Sequence, residues 1–388
     1  MGLFKDFFKL NFSNRIYVLF LACFWLLGYF GAFWRRVGIN DNGVAIANLI
    51  LLLLLSLLCR RKWSKNIHFT DIALYISLVF IYFYNSIIYP STAQLIDKNA
   101  VQVVIGAMPF LLVGLMFKYE GNEQWISLFS RIAVIINIIY IQSSSNVDVE
   151  ETMNRAYVLL PSVLYLLWAF VNHYKFIDLF FFLIGFLLEC SMGSRGPFVC
   201  ILFFAAVYLF FFKKYKHAYT VRSFIVIGTL FLYLFSQYIA YIMVELLSLA
   251  GKSTRIFDKM LDDSLINYEQ SSGRDVIQGF LLQKLDSNNG MGFGLLADRL
   301  QGAYAHNIFV EMWYDYGYTI GSIIIAAYLL LVILLLLKSK STSTKVLILL
   351  FFTVGFIKLQ FSSSFIVDRY FFFLLGFCIN GLRKVNLS

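Results

Sequence analysis

Residues 308–337 read IFVEMWYDYGYTIGSIIIAAYLLLVILLLL, and the last fifteen of them carry no charge. A transmembrane helix needs about 20 mostly apolar residues, so this stretch is long enough to cross a bilayer. Similar runs recur along the 388 residues, and they predict an all-α polytopic membrane protein with about twelve transmembrane helices. The predicted spans lie near 16–34, 44–58, 71–89, 100–117, 125–142, 156–172, 176–190, 197–212, 223–246, 308–337, 346–361 and 366–382.

The bulk composition excludes most other classes of protein. Hydrophobic residues make up 60% of the chain and charged residues 14%, whereas soluble proteins carry roughly 25% charged residues. A soluble domain of this size could not bury so much apolar surface, and disordered chains have the opposite composition. The net charge of +10 is interpreted as positive-inside bias together with local anion binding, without a nucleic-acid partner.

The basic residues predict the orientation of the chain. With the N-terminus in the cytoplasm, eighteen of the 32 Lys and Arg residues fall in cytoplasmic segments and six in short outer loops. Such a bias supports twelve spans with both ends inside. It favours a single transmembrane domain over residues 1–388 with both termini in the cytoplasm.

One predicted outer loop is much longer than the others. It runs from about Leu247 to Ala305, some 59 residues, and loops longer than about 15 residues are usually functional or disordered. Ile277, Leu281 and Leu285 follow helical spacing, and a glycine-rich turn follows at 288–294. This pattern predicts a long outer loop whose helices pack on the outer face of the bundle.

Three residues on the predicted outer side are candidates for chemistry. His306 lies near a helix N-terminus, where the dipole keeps the ring neutral and able to act as a base; alternatively it is an interfacial anchor. Arg195 lies between two glycines at the outer end of a predicted span. Three interpretations are open: its side chain binds a phosphate-like anion, extends to the lipid headgroups or pairs with Glu189. Arg274 begins the loop helix, where free N–H groups and a guanidinium favour phosphate.

Other charged residues carry weaker signals. Arg255 and Arg299 are further loop cations, and either could be an ordinary solvated charge. Arg131, Glu245 and Lys358 fall within or near spans, where charges are costly and usually functional. The chain has no P-loop motif and no acidic pair with metal-binding spacing in an outer loop. We therefore expect metal-independent chemistry without a cofactor.

Several short motifs occur together in one order. They are GSRG at 193–196, SGR at 272–274, GFG at 292–294 and HNIFVE at 306–311, followed by Gly317 and Gly321. In this arrangement, and in its long outer loop between two late spans, the chain resembles the O-antigen ligase and polymerase superfamily. The motifs cover roughly residues 190–325, and the chain looks most like an O-antigen or capsule repeat-unit polymerase of the Wzy type.

The resemblance implies a membrane glycosyltransferase of the bacterial inner membrane, with its active site on the periplasmic side. Its donor and acceptor would be undecaprenyl-diphosphate-linked oligosaccharides, polymerised into O-antigen or capsular polysaccharide. His306 would activate the acceptor hydroxyl with support from Glu311, and Arg195, Arg274 and Arg255 would bind the diphosphate. Membrane lipid and a polysaccharide chain-length regulator are the further partners that the resemblance suggests.

Two alternatives stay open from the sequence. An O-antigen ligase would share the donor and the fold but would transfer the glycan to lipid A core. A flippase for lipid-linked oligosaccharide belongs to another class of protein, and it would need cationic residues along a central cavity. The long outer loop and the sparse intramembrane charge favour an enzyme over a transporter.

Overall fold

A computed structural model describes residue 10 and residues 12–58, 68–117, 122–142, 149–192, 194–212, 236–249, 274–302 and 304–387. All regular structure in these ranges is helical. The α-helices are α1 Phe12–Arg36, α2 Asp41–Leu58, α3 Phe69–Ile88, α4 Ala93–Ala100, α5 Phe110–Met116, α6 Glu123–Gln142, α7 Val149–His173, α8 Phe176–Ser191, α9 Arg195–Val207, α10 Ser236–Leu249, α11 Arg274–Ser287, α12 Ile308–Tyr316, α13 Tyr318–Lys338, α14 Thr342–Phe352 and α15 Arg369–Leu387. The π-helical segments are Val101–Ala107, Tyr208–Phe212 and Thr353–Ile357, and the 3₁₀ segments are Pro90–Thr92, Ala297–Gln301, Lys358–Gln360 and Phe365–Val367.

Six described helical segments are long and apolar enough to cross a membrane: Asn14–Arg36, Phe69–Ile88, Pro90–Met116, Asn154–His173, Tyr318–Lys338 and Thr342–Gln360. The described part of the protein is therefore all-helical, and its apolar helices are those of a membrane-embedded protein. Protein neighbours bury 67% of the most apolar stretch of Thr342–Gln360 but 17% of that of Phe69–Ile88. The first of these helices is central, and the second presents a mainly apolar surface outward.

The centre of the bundle is the crossing of α5 and α15. Gly114 and Gly376 let the two backbones touch, because a Cβ atom would lie 2.1 Å from the Phe373 carbonyl oxygen at the first and 2.0 Å from that of Leu111 at the second. Small residues at such crossings are the usual means of close helix packing in membranes. The rings of Phe24, Phe117, Phe351, Phe373 and Phe377 pack around this contact.

The prediction of one continuous helix over 308–337 is wrong, because the chain breaks at Gly317. There the φ and ψ angles are 84° and 163°, a combination that is essentially confined to glycine. A Cβ atom at this position would lie 2.7 Å from the carbonyl oxygen of Gly290 and 3.0 Å from the nitrogen of Gly292. The membrane helix begins at Tyr318, and α12 is a separate helix before it.

Residues 274–302 and 304–316, which we call the cap, pack around a small core of their own. Leu281 and Leu285 of α11 are fully buried against Val310 and Tyr314 of α12. The helical stripe predicted from the sequence is confirmed. The glycine-rich turn joins the two helices, since the Phe293 nitrogen donates 2.8 Å to the carbonyl oxygen of Tyr314.

Polar contacts fix the cap to the ends of the bundle helices. The Leu295 nitrogen donates a 2.7 Å hydrogen bond to Oδ1 of Asn85, near the end of α3. Nη1 of Arg299 donates 3.0 Å to Oδ1 of Asn99 in α4. Arg299, a candidate solvated charge, is therefore partly buried and holds the cap in place.

Candidate functional site

Arg274 opens α11 and reaches from the cap to the bundle. Its Nη1 donates a 2.5 Å hydrogen bond to the carbonyl oxygen of Phe361. Phe361 lies in the irregular segment 358–368, which includes the last turn of the central membrane helix and leads to α15. A guanidinium carries five N–H donors, and this hydrogen bond uses one of them. Arg274 therefore provides a positive charge where the cap meets the bundle.

His306 lies within the electrostatic reach of Arg274. Burial and the positive charge of Arg274 lower the pKa of His306 to about 4. Nδ1 of His306 is buried and has no hydrogen-bond partner in the part of the chain that the structure describes. The ring is 3.7 Å from that of Tyr304, centroid to centroid, and the backbone φ is +53°. The site thus holds a neutral imidazole next to a cation.

The sequence attributes a neutral His306 to the dipole of the following helix. In the structure, Asn307 is the N-cap of α12, and its Oδ1 accepts hydrogen bonds from the nitrogens of Phe309 and Val310. His306 therefore precedes the helix. The direction of its pKa shift agrees with the expectation, but the causes are burial and the charge of Arg274.

Tyr157 of α7 connects the segments on the bundle side of the site. Its hydroxyl forms hydrogen bonds with the side chains of Ser194 and Ser362, and it also lies within the electrostatic reach of Arg274. A Cβ atom at Gly196 would be 1.9 Å from the Tyr157 hydroxyl oxygen, so only glycine allows this approach. Tyr157 could not be predicted as a site residue from the sequence, because a tyrosine in a span is usually a packing residue.

Arg195 and Arg255 are the other two predicted diphosphate ligands. Arg195 is the first residue of α9, and its neighbours Ser194 and Gly196 both contact Tyr157. The backbone therefore brings Arg195 to the same region as Arg274. The side chain of Arg195 and the whole of Arg255 lie outside the described residues.

Lys358 is an intramembrane charge that the sequence singled out, and it lies beside the site. It forms a buried ion pair with Oδ2 of Asp368. Its Nζ is 5.9 Å from the ring centroid of Tyr157 and 5.8 Å from that of Tyr370. Oδ1 of Asp368 also accepts hydrogen bonds from the first turn of α15. This pair holds the irregular segment against the helix that follows it.

Glu311 is buried, at 1% exposed, and it faces the irregular segment. Its Oε1 accepts a hydrogen bond from the Ser364 hydroxyl, and its Oε2 accepts one of 3.2 Å from the Phe365 nitrogen. Burial and the nearby charge of Asp298 raise the pKa of Glu311. Its described partners suit a residue that positions the turn next to Arg274.

Two further buried carboxyl groups flank Glu311 in the cap. Asp298 accepts hydrogen bonds of 3.0 and 2.9 Å from the nitrogens of Arg299 and Ala305, so it fixes the backbone next to His306. Burial raises the pKa of Asp298 and of Asp315. Within the described ranges, no three His, Cys, Asp or Glu side chains are arranged to hold a metal ion.

A cavity with polar walls lies at the ends of the helices opposite to the candidate site. It has a volume of about 210 Å³ and is lined by the start of α6, the end of α7 and the start of α8. Arg131, another intramembrane charge, donates 2.9 and 2.7 Å hydrogen bonds to Oδ1 of Asp178 in its wall. Arg131 is therefore explained by a buried pair, while Glu245 is exposed on α10.

Compared with protein-family models, with curated proteins and with solved structures, the chain matches none of them. The candidate site therefore rests on its own geometry. Its chemical features are a cation at Arg274, a neutral histidine with an unpartnered nitrogen, and a hydroxyl network around Tyr157. Such a site can bind an anionic oxygen and accept a proton from a neighbouring group.

Proposed function

We propose that the chain is a membrane glycosyltransferase that polymerises undecaprenyl-diphosphate-linked oligosaccharide repeat units into O-antigen or capsular polysaccharide. The observation that carries the proposal is the pairing of Arg274 with a neutral His306 whose Nδ1 is buried and unpartnered within the described residues. A cation and a base are the two groups that this transfer requires. They meet between a polar cap and an apolar bundle, where a lipid-linked diphosphate would lie.

In the proposed reaction, a hydroxyl oxygen of the acceptor sugar bonds to the anomeric carbon of the donor. The bond between that carbon and the diphosphate oxygen breaks, and undecaprenyl diphosphate leaves with the bonding electrons. Arg274, Arg195 and Arg255 stabilise the negative charge of the leaving group. Nδ1 of His306 accepts the proton of the attacking hydroxyl, and Glu311 supports the site by positioning the turn.

The negative charge of the bound substrate makes His306 a stronger base. In the free protein the positive charge of Arg274 contributes to the low pKa of His306. A diphosphate bound to Arg274 offsets that charge, so the pKa of His306 rises when the donor is in place. The base therefore becomes stronger in the complex than in the free protein.

We further propose the twelve-span topology in a bacterial inner membrane, with both termini in the cytoplasm and the site on the periplasmic side. The arrangement of the helix ends supports it. Asn85, Asn99 and the cap, which the topology places outside, are joined by hydrogen bonds. Asp71 and Arg383, which it places at the cytoplasmic ends, form an ion pair of 2.5 Å. A chain-length regulator remains the protein partner that we propose.

Complementation of a strain that lacks this gene tests the proposal. Arg195→Ala, Arg274→Ala and His306→Ala, expressed singly at equal levels, should give no long-chain glycan, since a general base alone contributes about 10²–10⁴-fold in rate. Matched controls are Arg35→Ala and His173→Ala, because both side chains are exposed. Long-chain glycan from all three site variants would refute the assignment.

The phenotype of the deletion separates the polymerase from the ligase. A lost polymerase leaves lipopolysaccharide with a single repeat unit, whereas a lost ligase leaves core alone.

The metal-independent chemistry that we propose predicts that chelators of divalent cations leave the rate unchanged. Loss of activity with EDTA, restored by added magnesium or manganese, would contradict it.

A further inference from the structure

The irregular segment 358–368 forms a wall of the site that carries no substrate contact in the proposal above. Its first part, Lys358–Gln360, packs against both α9 and α12. The first of these helices begins with Arg195, and the second comes shortly after His306 in the chain. The next residue, Phe361, provides the carbonyl oxygen that holds Arg274. Gln360 therefore lies between the elements that carry the candidate site residues.

Gln360 is a partly buried residue with an unusual side-chain amide. Its Nε2 is shielded from solvent and has no hydrogen-bond partner in the described part of the chain. A buried donor without a partner destabilises a fold, so such groups in native proteins call for an explanation. One physical explanation is a donor kept available for a ligand. Nδ1 of His306, also buried and unpartnered among the described residues, belongs to the same site.

We infer that Gln360 binds the diphosphate of the lipid-linked substrate, donating from Nε2 to a phosphate oxygen next to Arg274. This inference rests on the proposed function and adds to it a binding residue outside the motifs that suggested it. The chemistry favours phosphate because Phe361, the residue that follows Gln360, holds the Arg274 guanidinium through its carbonyl oxygen. An amide and a guanidinium both supply N–H donors to the same kind of oxygen. A neutral donor completes an anion site without adding another buried charge.

The surrounding side chains keep the segment that carries Gln360 in place. The Tyr157 hydroxyl bonds to Ser362, and Glu311 accepts hydrogen bonds from Ser364 and Phe365. These contacts fix the residues that follow Gln360 on both sides of the segment. The amide is therefore presented from a braced turn, so little conformational entropy is lost when a ligand binds.

Binding of farnesyl diphosphate to the full chain in detergent micelles tests the inference. The variants are Gln360→Met, which keeps the side-chain volume but has no donor, and Gln360→Glu, which adds a negative charge. A hydrogen bond to a charged group corresponds to a change of about tenfold to a hundredfold in Kd. We expect a loss of that size for Gln360→Met and a larger one for Gln360→Glu. Gln283→Met and Gln283→Glu are the controls, because Gln283 is an exposed residue of α11.

Stability and a second ligand separate a binding role from a structural one. Removing an unpartnered buried amide should raise the melting temperature of free Gln360→Met while its affinity falls. Farnesol, which lacks the diphosphate, should bind all variants equally. A lower melting temperature with equal losses for both ligands would overturn the inference, and so would wild-type affinity in both Gln360 variants.

Arg274→Ala in the same assay distinguishes a failure of the inference on Gln360 from a failure of the proposed function. If it loses farnesyl diphosphate while both Gln360 variants retain it, the inference on Gln360 fails and the proposed function stands. If Arg274→Ala also binds with wild-type affinity, the proposed diphosphate site itself is refuted.

Discussion

Replacing Gly317 with alanine should separate the cap from the membrane helix that follows it. The backbone at Gly317 has φ 84° and ψ 163°, and a non-glycine residue in this region costs about 1–3 kcal/mol. The added Cβ would also lie 2.7 Å from the carbonyl oxygen of Gly290. Because this oxygen belongs to backbone that is held in place by the cap, it cannot move away easily. We therefore expect a total loss of about 3 kcal/mol in the free energy of unfolding.

Gly279 provides the matched control for this substitution. It lies inside α11, and an added Cβ would meet nothing within 4 Å. Alanine in an exposed helix is favoured over glycine by about 0.5–1 kcal/mol, so Gly279→Ala should be stabilising. The two substitutions have identical chemistry and opposite expected signs, because only their backbone environments differ.

Thermal unfolding of both variants in the same detergent checks this expectation. Gly317→Ala should melt below the wild type and Gly279→Ala at or above it. Gly317→Ala should also lose the proposed polymerising activity, since the cap carries His306. A Gly317→Ala variant as stable as the wild type would refute the account of the helix break. So would equal destabilisation by both substitutions.

Two further predictions concern the charges of the site. Arg274→Gln should raise the pKa of His306 above about 4, measured by NMR with labelled histidine, while burial keeps it below the ordinary value; an unchanged pKa would contradict the electrostatic coupling. Since the pKa of the folded state is the lower one, the unfolded chain binds more protons between pH 4 and 6.5, so the contribution of His306 to stability falls as the pH is lowered through that window. Glu311→Ala should cost about 1–3 kcal/mol, because the Ser364 and Phe365 donors lose their acceptor. Glu311→Gln keeps an acceptor and should retain most activity in the glycan assay, and complete loss of activity in a folded Glu311→Gln would instead assign Glu311 a direct catalytic role.

The periodicity of apolar residues predicts much of the helical framework, because such patterns are local. Leu281 and Leu285 are buried as their spacing predicts, and long apolar runs coincide with the six candidate membrane helices. The break at Gly317 could not be predicted in this way. Its cause is the backbone of Gly290 and Gly292, a contact that only the folded cap creates.

The candidate site also contains some features that follow from the sequence and others that only the fold creates. The proximity of Arg274 and His306 agrees with an expectation drawn from motif order and predicted sidedness. Tyr157 and Gln360 carry no motif, and their relevance comes from contacts with segments distant in the chain. The Glu311 side chain illustrates the limit best, because its acceptor role depends on Ser364, which lies 53 residues away.

The most direct test of the central claim is a reconstituted reaction with the purified chain and undecaprenyl-diphosphate-linked repeat units in detergent, without any membrane compartment. The account predicts a ladder of lipid-linked glycans of increasing length from the wild type and none from Arg274→Ala or His306→Ala, each folded as judged by its melting temperature. A ladder of wild-type yield from either variant, or no glycan elongation by the folded wild type, would contradict it.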